Sequence, residues 1–590
     1  MKVSLLFPPS WIPSQPFLSL PSLTAFLRQE GVEVIQRDIN IEFLEILMTW
    51  EKVKGLYRRI EEGIKLIEKN GGDQAGEKCA RMKQAVEWLP QLTDWIENAK
   101  KVFRGDQFYV IENYMESLKV MERWIELITS SYHPSMVTTV DNEMRYSVYS
   151  SKDIFSAIKD REQNVFFDIF SDHIISSVLS DNPGLVGISI TSTSQVIPGL
   201  TLAYLIKKEK PDIHITVGGS VFTKLIDNLR KNENLFTIVD SFVVFEGEHA
   251  LLALVDELSG KKDLKKVPNL VHRENGKTVV NEESFFIEDL NKLPTPDYDG
   301  LPLDLYHTPE LVLPVQTSRG CYWRKCAFCN LHLDHKNFRP RKIDLVMEDI
   351  KKLSKKHNTK FFFITDESMP LSAMSRLSDR IIEDEIEVKW ICGARFEKTL
   401  NSDLLEKASR AGCFKIVFGL ESYSQRVLDL MRKGTRKKHI SRVVQDCLKY
   451  DIAVHLYIIV GFLTETKEEV METVNFILNN KNLLKSYGFS CLPCLFDLEK
   501  GSPIMDSPEK FALKRIMAPA QHDLSLGYIF EASKGMTPQE AENTFADVME
   551  MIDRAVNPLP FNYSMADGLL YLARKKRKQK INAQLSIVNS

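Results

Sequence analysis

Cys321-Tyr-Trp-Arg-Lys-Cys326-Ala-Phe-Cys329 gathers three cysteines into nine residues, directly after the apolar run Leu311-Val-Leu-Pro-Val315. Such a run reads as a short buried strand. Three thiolates on one short loop suit three corners of an iron–sulfur cluster, and they leave the fourth iron without a protein ligand. An open coordination position separates a catalytic metal site from a closed structural one. Two plainer readings compete. One is a zinc ion with His332 or His335 as fourth ligand, although only one Cys-x-x-Cys pair lies here and no second pair follows at zinc-ribbon spacing. The other is a set of unrelated buried thiols. Nine cysteines in 590 residues is ordinary usage, so chance does not produce so tight a trio.

Other polar groups recur at one end of successive strand candidates. Asp366-Glu367 follow the second, Gly393 and Arg395 the third, Glu421-Ser422 the fourth, Gly461 and Glu465 the fifth. Carboxylates accept from an ammonium, and an arginine pairs a carboxylate bidentately. A glycine offers bare backbone to a flat ligand. One such residue would be noise; five sets at one end make a site. In the N-terminal part Ser189, Thr191 and Ser192, then Gly218-Gly219, then Glu246, Gly247 and Glu248 follow three further strands in the same manner. Cys491-Leu-Pro-Cys494 reads as two structural cysteines, as do Cys79, Cys392, Cys413 and Cys447.

Elements must hold these groups in place. Val3–Phe7 and Val32–Asp38 read as strands about a helix from Leu20 to Gln29, which Gly31 ends. Residues 41–180 are mostly helical in pattern. The strand–helix rhythm returns at Leu185–Ile190, Ile213–Val217 and Ser241–Phe245. A linker, Asn291-Lys-Leu-Pro-Thr-Pro-Asp-Tyr298, precedes six strand candidates: 312–317, 360–365, 387–393, 414–419, 452–460 and 487–495. Buried strands alternating with helices predict an α/β chain with parallel sheets, whose ligands sit beyond the carboxyl ends of the strands. Six such units close partly into a barrel with its site at the same end.

Composition sets outer bounds. Lys+Arg total 77 and Asp+Glu 80, a net charge of −3, which argues against a general nucleic-acid binder. The odd cysteine count is not a disulfide framework, so a reducing, cytoplasmic compartment is expected. The apolar stretch at Met1–Phe7 is too short for a signal peptide, and no run approaches a membrane span. The basic tail, Ala573–Lys580, reads as a solvated helix end.

Together these stretches resemble the cobalamin-dependent radical S-adenosylmethionine (SAM) enzymes. Ser318-Arg-Gly-Cys321 through Cys329, with Phe328 before the last cysteine, carries the resemblance most specifically. Pro21–Leu27, Val217–Gly219, Glu246–Glu248, Phe418–Ser422 and Ile458–Gly461 support it, so that it covers about 1–40 and 185–500. It implies a Rossmann-like cobalamin-binding domain over 1–290 with a helical insertion at 41–180. A partial (β/α)6 radical SAM barrel over 305–500 and a mostly helical region over 501–590 would follow. Implied cofactors are a 4Fe–4S cluster on Cys321, Cys326 and Cys329, SAM, and cobalamin. Phe328, Asp366, Glu367, Arg395, Glu421, Ser422 and Gly461 would hold SAM. Ser189, Thr191, Ser192, Gly218, Gly219, Glu246, Gly247 and Glu248 would hold cobalamin. An electron donor such as flavodoxin or ferredoxin, and a small-molecule or peptide substrate, complete the set.

Two features depart from the family pattern. Four residues, not three, separate the first two cysteines. Asp212-Ile-His-Ile-Thr-Val-Gly218 has one residue too many for the cobalt-ligating Asp-x-His-x-x-Gly, so His214 reads as a strand residue and cobalamin would lack a histidine lower ligand. The activity implied is methylation of an unactivated carbon of a peptide or natural-product intermediate through a 5′-deoxyadenosyl radical. A cyclase or rearrangement enzyme of the same class is the alternative. A cobalamin- or metal-binding sensor or carrier is the rival of another class, disfavoured because it needs no SAM site.

Overall fold

The computed structural model describes residues 1–70, 75–260, 263–281, 285–480, 488–555 and 568–574. Tyr487 and residues 575–580 of the basic tail lie outside the described residues. The chain divides into two compact units, Met1–Pro309 with Ala520–Leu526, and Glu310–Pro519 with Gly527–Ser590.

The first unit is built on a seven-stranded sheet. Its strands are β1 (Val3–Phe7), β2 (Val34–Asp38), β3 (Leu185–Ser189), β4 (His214–Gly218), β5 (Ser241–Val243), β6 (Leu270–Glu274) and β7 (Lys277–Val280), in the order β2-β1-β3-β4-β5-β6-β7. The first five are parallel; β6 and β7 run antiparallel. Every residue of β1 is buried, as a strand covered on both faces requires. The order reverses between β1 and β3, the position where sheets of this kind open a ligand crevice. The β6–β7 hairpin was not anticipated. It turns at Asn275-Gly276, both at positive φ, the Asn-Gly pair favoured by tight hairpin turns. Helix α1 (Ser19–Gln29) covers the sheet, and Gly31, at φ 81°, ends it. The stretch expected to be helical holds α2 (Ile39–Leu47), α3 (Trp50–Asn70), α4 (Ala75–Arg104) and α5 (Ile111–Thr129). A two-stranded pair, Met136–Val137 with Asn142–Glu143, follows. Helices α6 (Val196–Glu209) and α7 (Glu248–Ser259) complete the crossovers.

The second unit carries a six-stranded parallel sheet, β8 (Val312–Val315), β9 (Phe361–Ile364), β10 (Lys389–Ala394), β11 (Cys413–Glu421), β12 (Ala453–Val460) and β13 (Phe489–Leu495), in sequential order. Helices α8 (Ile343–His357), α9 (Leu371–Glu383), α10 (Ser402–Arg410), α11 (Lys437–Lys449) and α12 (Lys467–Asn479) connect them, the last opened by a Thr466/Glu469 capping box. All six expected strands are present, shifted by three residues or fewer at any end. Beyond residue 500 a short antiparallel sheet accompanies the expected helices. The short strand Leu498–Glu499 pairs with Gly527–Ala532, which pairs in turn with Leu513–Met517; helix α13 (Pro538–Ala555) follows this antiparallel sheet.

Candidate functional site

The three cysteines sit where the strand pattern placed them. Beyond β8, Ser318-Arg319 pairs antiparallel with Arg339-Pro340, so the cysteine loop is the connection of a short hairpin. Asp366, at the end of β9, ties that hairpin down. Its carboxylate accepts from the Thr317 and Ser318 amides at 2.7 and 3.1 Å and from both hydroxyls at 2.5 and 2.6 Å. Burial still raises its pKa above the ordinary carboxylate range. Asp366 therefore braces the loop, whereas Glu367, exposed beside it, adds negative charge near Cys329.

The extra residue between Cys321 and Cys326 is absorbed by Arg324, which takes up a left-handed conformation at φ 51°. All three thiols are half-buried and free of disulfides. Burial pushes Cys329 up to about 11 and raises Cys326, although the Lys433 and Arg395 cations pull Cys326 back. Cys329 feels the charge of both Cys326 and Cys321, and Cys326 feels that of Cys321. No three His, Cys, Asp or Glu among the described residues are close enough to hold a single ion. A multi-iron cluster, whose corners each take one thiol, suits the wider arrangement, and two adjacent cations suit a cluster of thiolates.

Arg395 is buried. Its Nη1 lies 4.0 Å from Cys326 Sγ, Nη2 donates to the Lys433 carbonyl, and Nε lies 3.3 Å from Glu397. Glu421 sits at a bulge ending β11, at φ 61°, with Oε1 2.6 Å from Lys433 Nζ. Gly419 makes room for that ion pair: a Cβ there would stand 2.4 Å from Glu421 Oε1 and 2.7 Å from Lys433 Nζ. Lys433 was missed as an individual residue; its only signal was its place in the basic run Arg432–Lys438. Phe328 packs edge-on against Phe462, with Lys433 Nζ 5.9 Å from its ring centroid.

Ser422 and Glu465 join the loops after β11 and β12. Ser422 Oγ donates to Glu465 Oε1 at 3.3 Å, and Glu465 Oε2 accepts from the Gly461 and Phe462 amides at 3.0 and 3.3 Å. Burial outweighs these bonds and lifts the Glu465 pKa to about 8. Gly461, expected to present open backbone, is covered: a Cβ there would meet Ala541 Cβ of α13 at 2.6 Å. Cys491 and Cys494 lie three apart on β13 and so face opposite ways, the first buried and the second exposed. They do not form a pair.

In the first unit the carboxyl edge around the β1/β3 reversal holds Ser189, Thr191, Ser192, Gly218 and Gly219. Gln195, fully buried and not foreseen, organises it. Its Oε1 accepts from the Thr191 amide at 2.9 Å, the Thr191 hydroxyl at 3.0 Å and the Ser192 amide at 3.2 Å, while Nε2 donates to the Pro8 carbonyl at 2.8 Å. Ser189 Oγ lies 3.0 Å from Ser19 Oγ, and Ser220 Oγ donates to the Thr191 carbonyl. Gly219, at φ 119°, passes so close to β3 that a Cβ would stand 2.0 Å from the Ile190 carbonyl oxygen. Trp11, half-buried beyond β1, packs on Phe7 and Phe17 with centroids 6.0 and 5.0 Å away.

The acidic turn behaves differently. Glu246 accepts from the Glu288 amide at 2.6 Å, Glu248 accepts from Ser22 Oγ at 3.2 Å, and Gly247 packs on Leu23. Both carboxylates are buried against their own unit instead of standing at the edge. His214 begins β4, at the opposite end from Gly218. Its Nε2 lies 2.9 Å from Ser241 Oγ, and burial lowers its pKa to about 4.

Known proteins resemble this arrangement. A family profile described as the radical SAM superfamily matches residues 315–477. A protein named an "uncharacterized methyltransferase" of Pyrococcus horikoshii is 30% identical over 311 residues, 52% of this chain and 66% of the relative. An anaerobic magnesium-protoporphyrin IX monomethyl ester cyclase of Rubrivivax gelatinosus is 27% identical over 316 residues, 52% of this chain and 56% of the relative. The chain thus spans 66% and 56% of the length of these two relatives. The solved structure of the radical SAM methyltransferase TsrM from Kitasatospora setae, determined with cobalamin and a 4Fe–4S cluster, superposes with a TM-score of 0.56. It is 13% identical and covers 98% of this chain and 99% of that one.

Proposed function

We propose that this chain, which belongs to the radical SAM superfamily through residues 315–477 and has the fold of the cobalamin-dependent radical SAM enzymes, transfers a methyl group to an unactivated carbon. The observation that carries the reading is the trio of half-buried, disulfide-free thiols at the carboxyl end of a six-stranded parallel sheet, with the Arg395 and Lys433 cations beside Cys326. On this reading Cys321, Cys326 and Cys329 hold a 4Fe–4S cluster. Phe328, Glu367, Glu421 and Lys433 would hold SAM, and Thr191, Ser192 and Gly218 on the β1/β3 edge of the first unit would hold cobalamin.

The cofactors supply the hard chemistry: one-electron cleavage of SAM and a cobalt-borne methyl group. The chain's residues bind and orient. Asp366 fixes the entry to the cysteine loop, Arg395 and Lys433 offset negative charge at Cys326, and the Ser422–Glu465 link sets the distance between two site loops. Gln195 shapes the edge loop that would lie under the corrin. The substrate is a small molecule or peptide, the electron comes from a flavodoxin- or ferredoxin-like donor, and nucleic acid has no part. No helix among the described residues is long and apolar enough to cross a membrane. The reading puts the protein in the cytoplasm, where nine thiols without a disulfide are at home.

The 27%-identical cyclase supports a second reading, radical ring closure without methyl transfer. Product analysis separates the two. A methyltransferase yields methylcobalamin, S-adenosylhomocysteine and 5′-deoxyadenosine together; a cyclase yields 5′-deoxyadenosine without S-adenosylhomocysteine. Absence of all three from anaerobic, cobalamin-loaded protein with SAM and reductant would reject both.

A further inference from the structure

The four residues between Cys321 and Cys326 have an outward face of their own. Trp323, Arg324 and Lys325 line an open cleft of about 580 Å³ with Arg432, Asp429 and Pro503. Arg324, Lys325 and Arg432 are exposed, while Asp429 already has a cation 3.3 Å away in Arg436. The cleft is therefore locally cationic on a chain whose net charge is −3.

Trp323 is fixed within it by several contacts. Its Nε1 donates to the Arg432 carbonyl at 2.9 Å, and its ring centroid lies 5.0 Å from Lys325 Nζ and 4.3 Å from the Arg395 guanidinium. Gly434 leaves space for the indole, since a Cβ there would fall 2.2 Å from the ring. Arg395 in turn reaches Cys326 Sγ at 4.0 Å. A continuous packed path, Trp323 to Arg395 to Cys326, thus links a basic surface to the thiol that the proposed cluster would use.

We propose that this cleft is the docking face for a small one-electron carrier protein whose redox centre is ringed by carboxylates. The proposal rests on the cluster reading above and names the surface that would serve it. In the step served, the reduced carrier loses one electron and the iron–sulfur cluster gains it; no bond forms or breaks and no proton moves. Complementary charge raises the encounter rate and fixes register, and salt screens both effects.

The test uses full-length protein and a purified bacterial flavodoxin, with binding followed by biolayer interferometry at about 20 mM and about 0.5 M salt. Arg324→Glu/Lys325→Glu/Arg432→Glu should weaken binding at low salt by about tenfold or more, and the difference should shrink at high salt. Lys352→Glu/Lys355→Glu on α8 serves as the control for charge reversal elsewhere and should match the parent. Triple-variant binding equal to the parent's at low salt would overturn the proposal, as would an equal loss in the α8 control. Iron content and bleaching by dithionite, measured in parallel, report the cluster separately. Salt-sensitive flavodoxin binding to a chain without iron would sink the cluster reading and leave the docking face standing.

Discussion

At the scale of single residues the chemistry proposed for the second unit can be tested at Cys326, at the Lys433–Glu421 pair and at Glu465. Cys326→Ala removes the thiol that Arg395 and Lys433 both face, so anaerobically purified protein should lose its brown colour and most of its iron; full retention of iron would refute the cluster. Lys433 and Glu421 are both nearly buried. Removing one member of such a pair strands a charge, at a cost of about 3–5 kcal/mol. Lys433→Met should therefore destabilise strongly in denaturant titrations, and adding Glu421→Gln should recover much of the loss. No recovery would mean that the two side chains do not act as a pair. Glu465 makes a pH-dependent contribution. Its folded pKa, about 8, lies above the ordinary 4.5, so the folded state binds the extra proton. That contribution is complete below about pH 4.5 and is lost as pH rises through about 8, at up to about 1.4 kcal/mol per pH unit. Glu465→Gln keeps an acceptor for the Gly461 and Phe462 amides and an N–H for Ser422. It should flatten the fall in unfolding midpoint between pH 5 and 8, and an unchanged slope would assign the dependence elsewhere.

At the scale of elements, the loop after β3 depends on Gln195 and on Gly219. Gln195→Leu removes the acceptor shared by Thr191 and Ser192 and should weaken cobalamin binding about tenfold, the equivalent of one or two hydrogen bonds. Absorbance titration follows the corrin, and iron content should stay constant; equal corrin affinity would take this loop out of the site. Gly219 is a poor place to test corrin binding by bulk, because even alanine collides with the Ile190 carbonyl before reaching any ligand. Strands and their loops were legible in the sequence where burial is complete: the six parallel strands of the second unit are apolar runs that need no alternation to be recognised. The β6–β7 hairpin was missed although Asn275-Gly276 announced it. The strands 513–517 and 527–532 carry no clear signal, since Leu-Lys-Arg-Ile-Met and Gly-Tyr-Ile-Phe-Glu-Ala neither alternate nor run apolar. Within the candidate site, the placing of the cysteines, Asp366, Glu421 and Ser422 at the carboxyl ends of the strands is readable from motif spacing. What those groups bond to was not, because a carboxylate that braces a loop and one that awaits a ligand have the same letter. Glu246 and Glu248 show this most plainly, facing Glu288 and Ser22.

At the scale of the whole chain, residues from far along the sequence complete the first unit. Within Ala520–Leu526, the Asp523 carboxylate accepts from the Ser151 amide at 2.7 Å, the Ser151 hydroxyl at 2.5 Å and Asn232 Nδ2 at 2.6 Å, while its own carbonyl accepts from Asn228 Nδ2. Leu524 is buried beside it and donates its amide to the Tyr149 carbonyl. Asp523→Ala leaves three donors without their acceptor and should cost about 2–3 kcal/mol in the full-length protein, read as a lower unfolding midpoint. An unaltered midpoint would show the segment to be an ornament. The unit that would carry cobalamin is thus encoded by two separate stretches of gene. A recombination event that swaps it between relatives must carry both stretches and leave 310–519 behind, so it needs two more crossovers, at about 519 and 526, than a contiguous module would. Chimeras joined only near residue 309 would pair one parent's Ser151 and Asn232 with the other parent's counterpart of Asp523. Inheritance of the two stretches together is the condition for a functional exchange, and it ties the evolution of a short C-terminal segment to that of a domain some three hundred residues upstream.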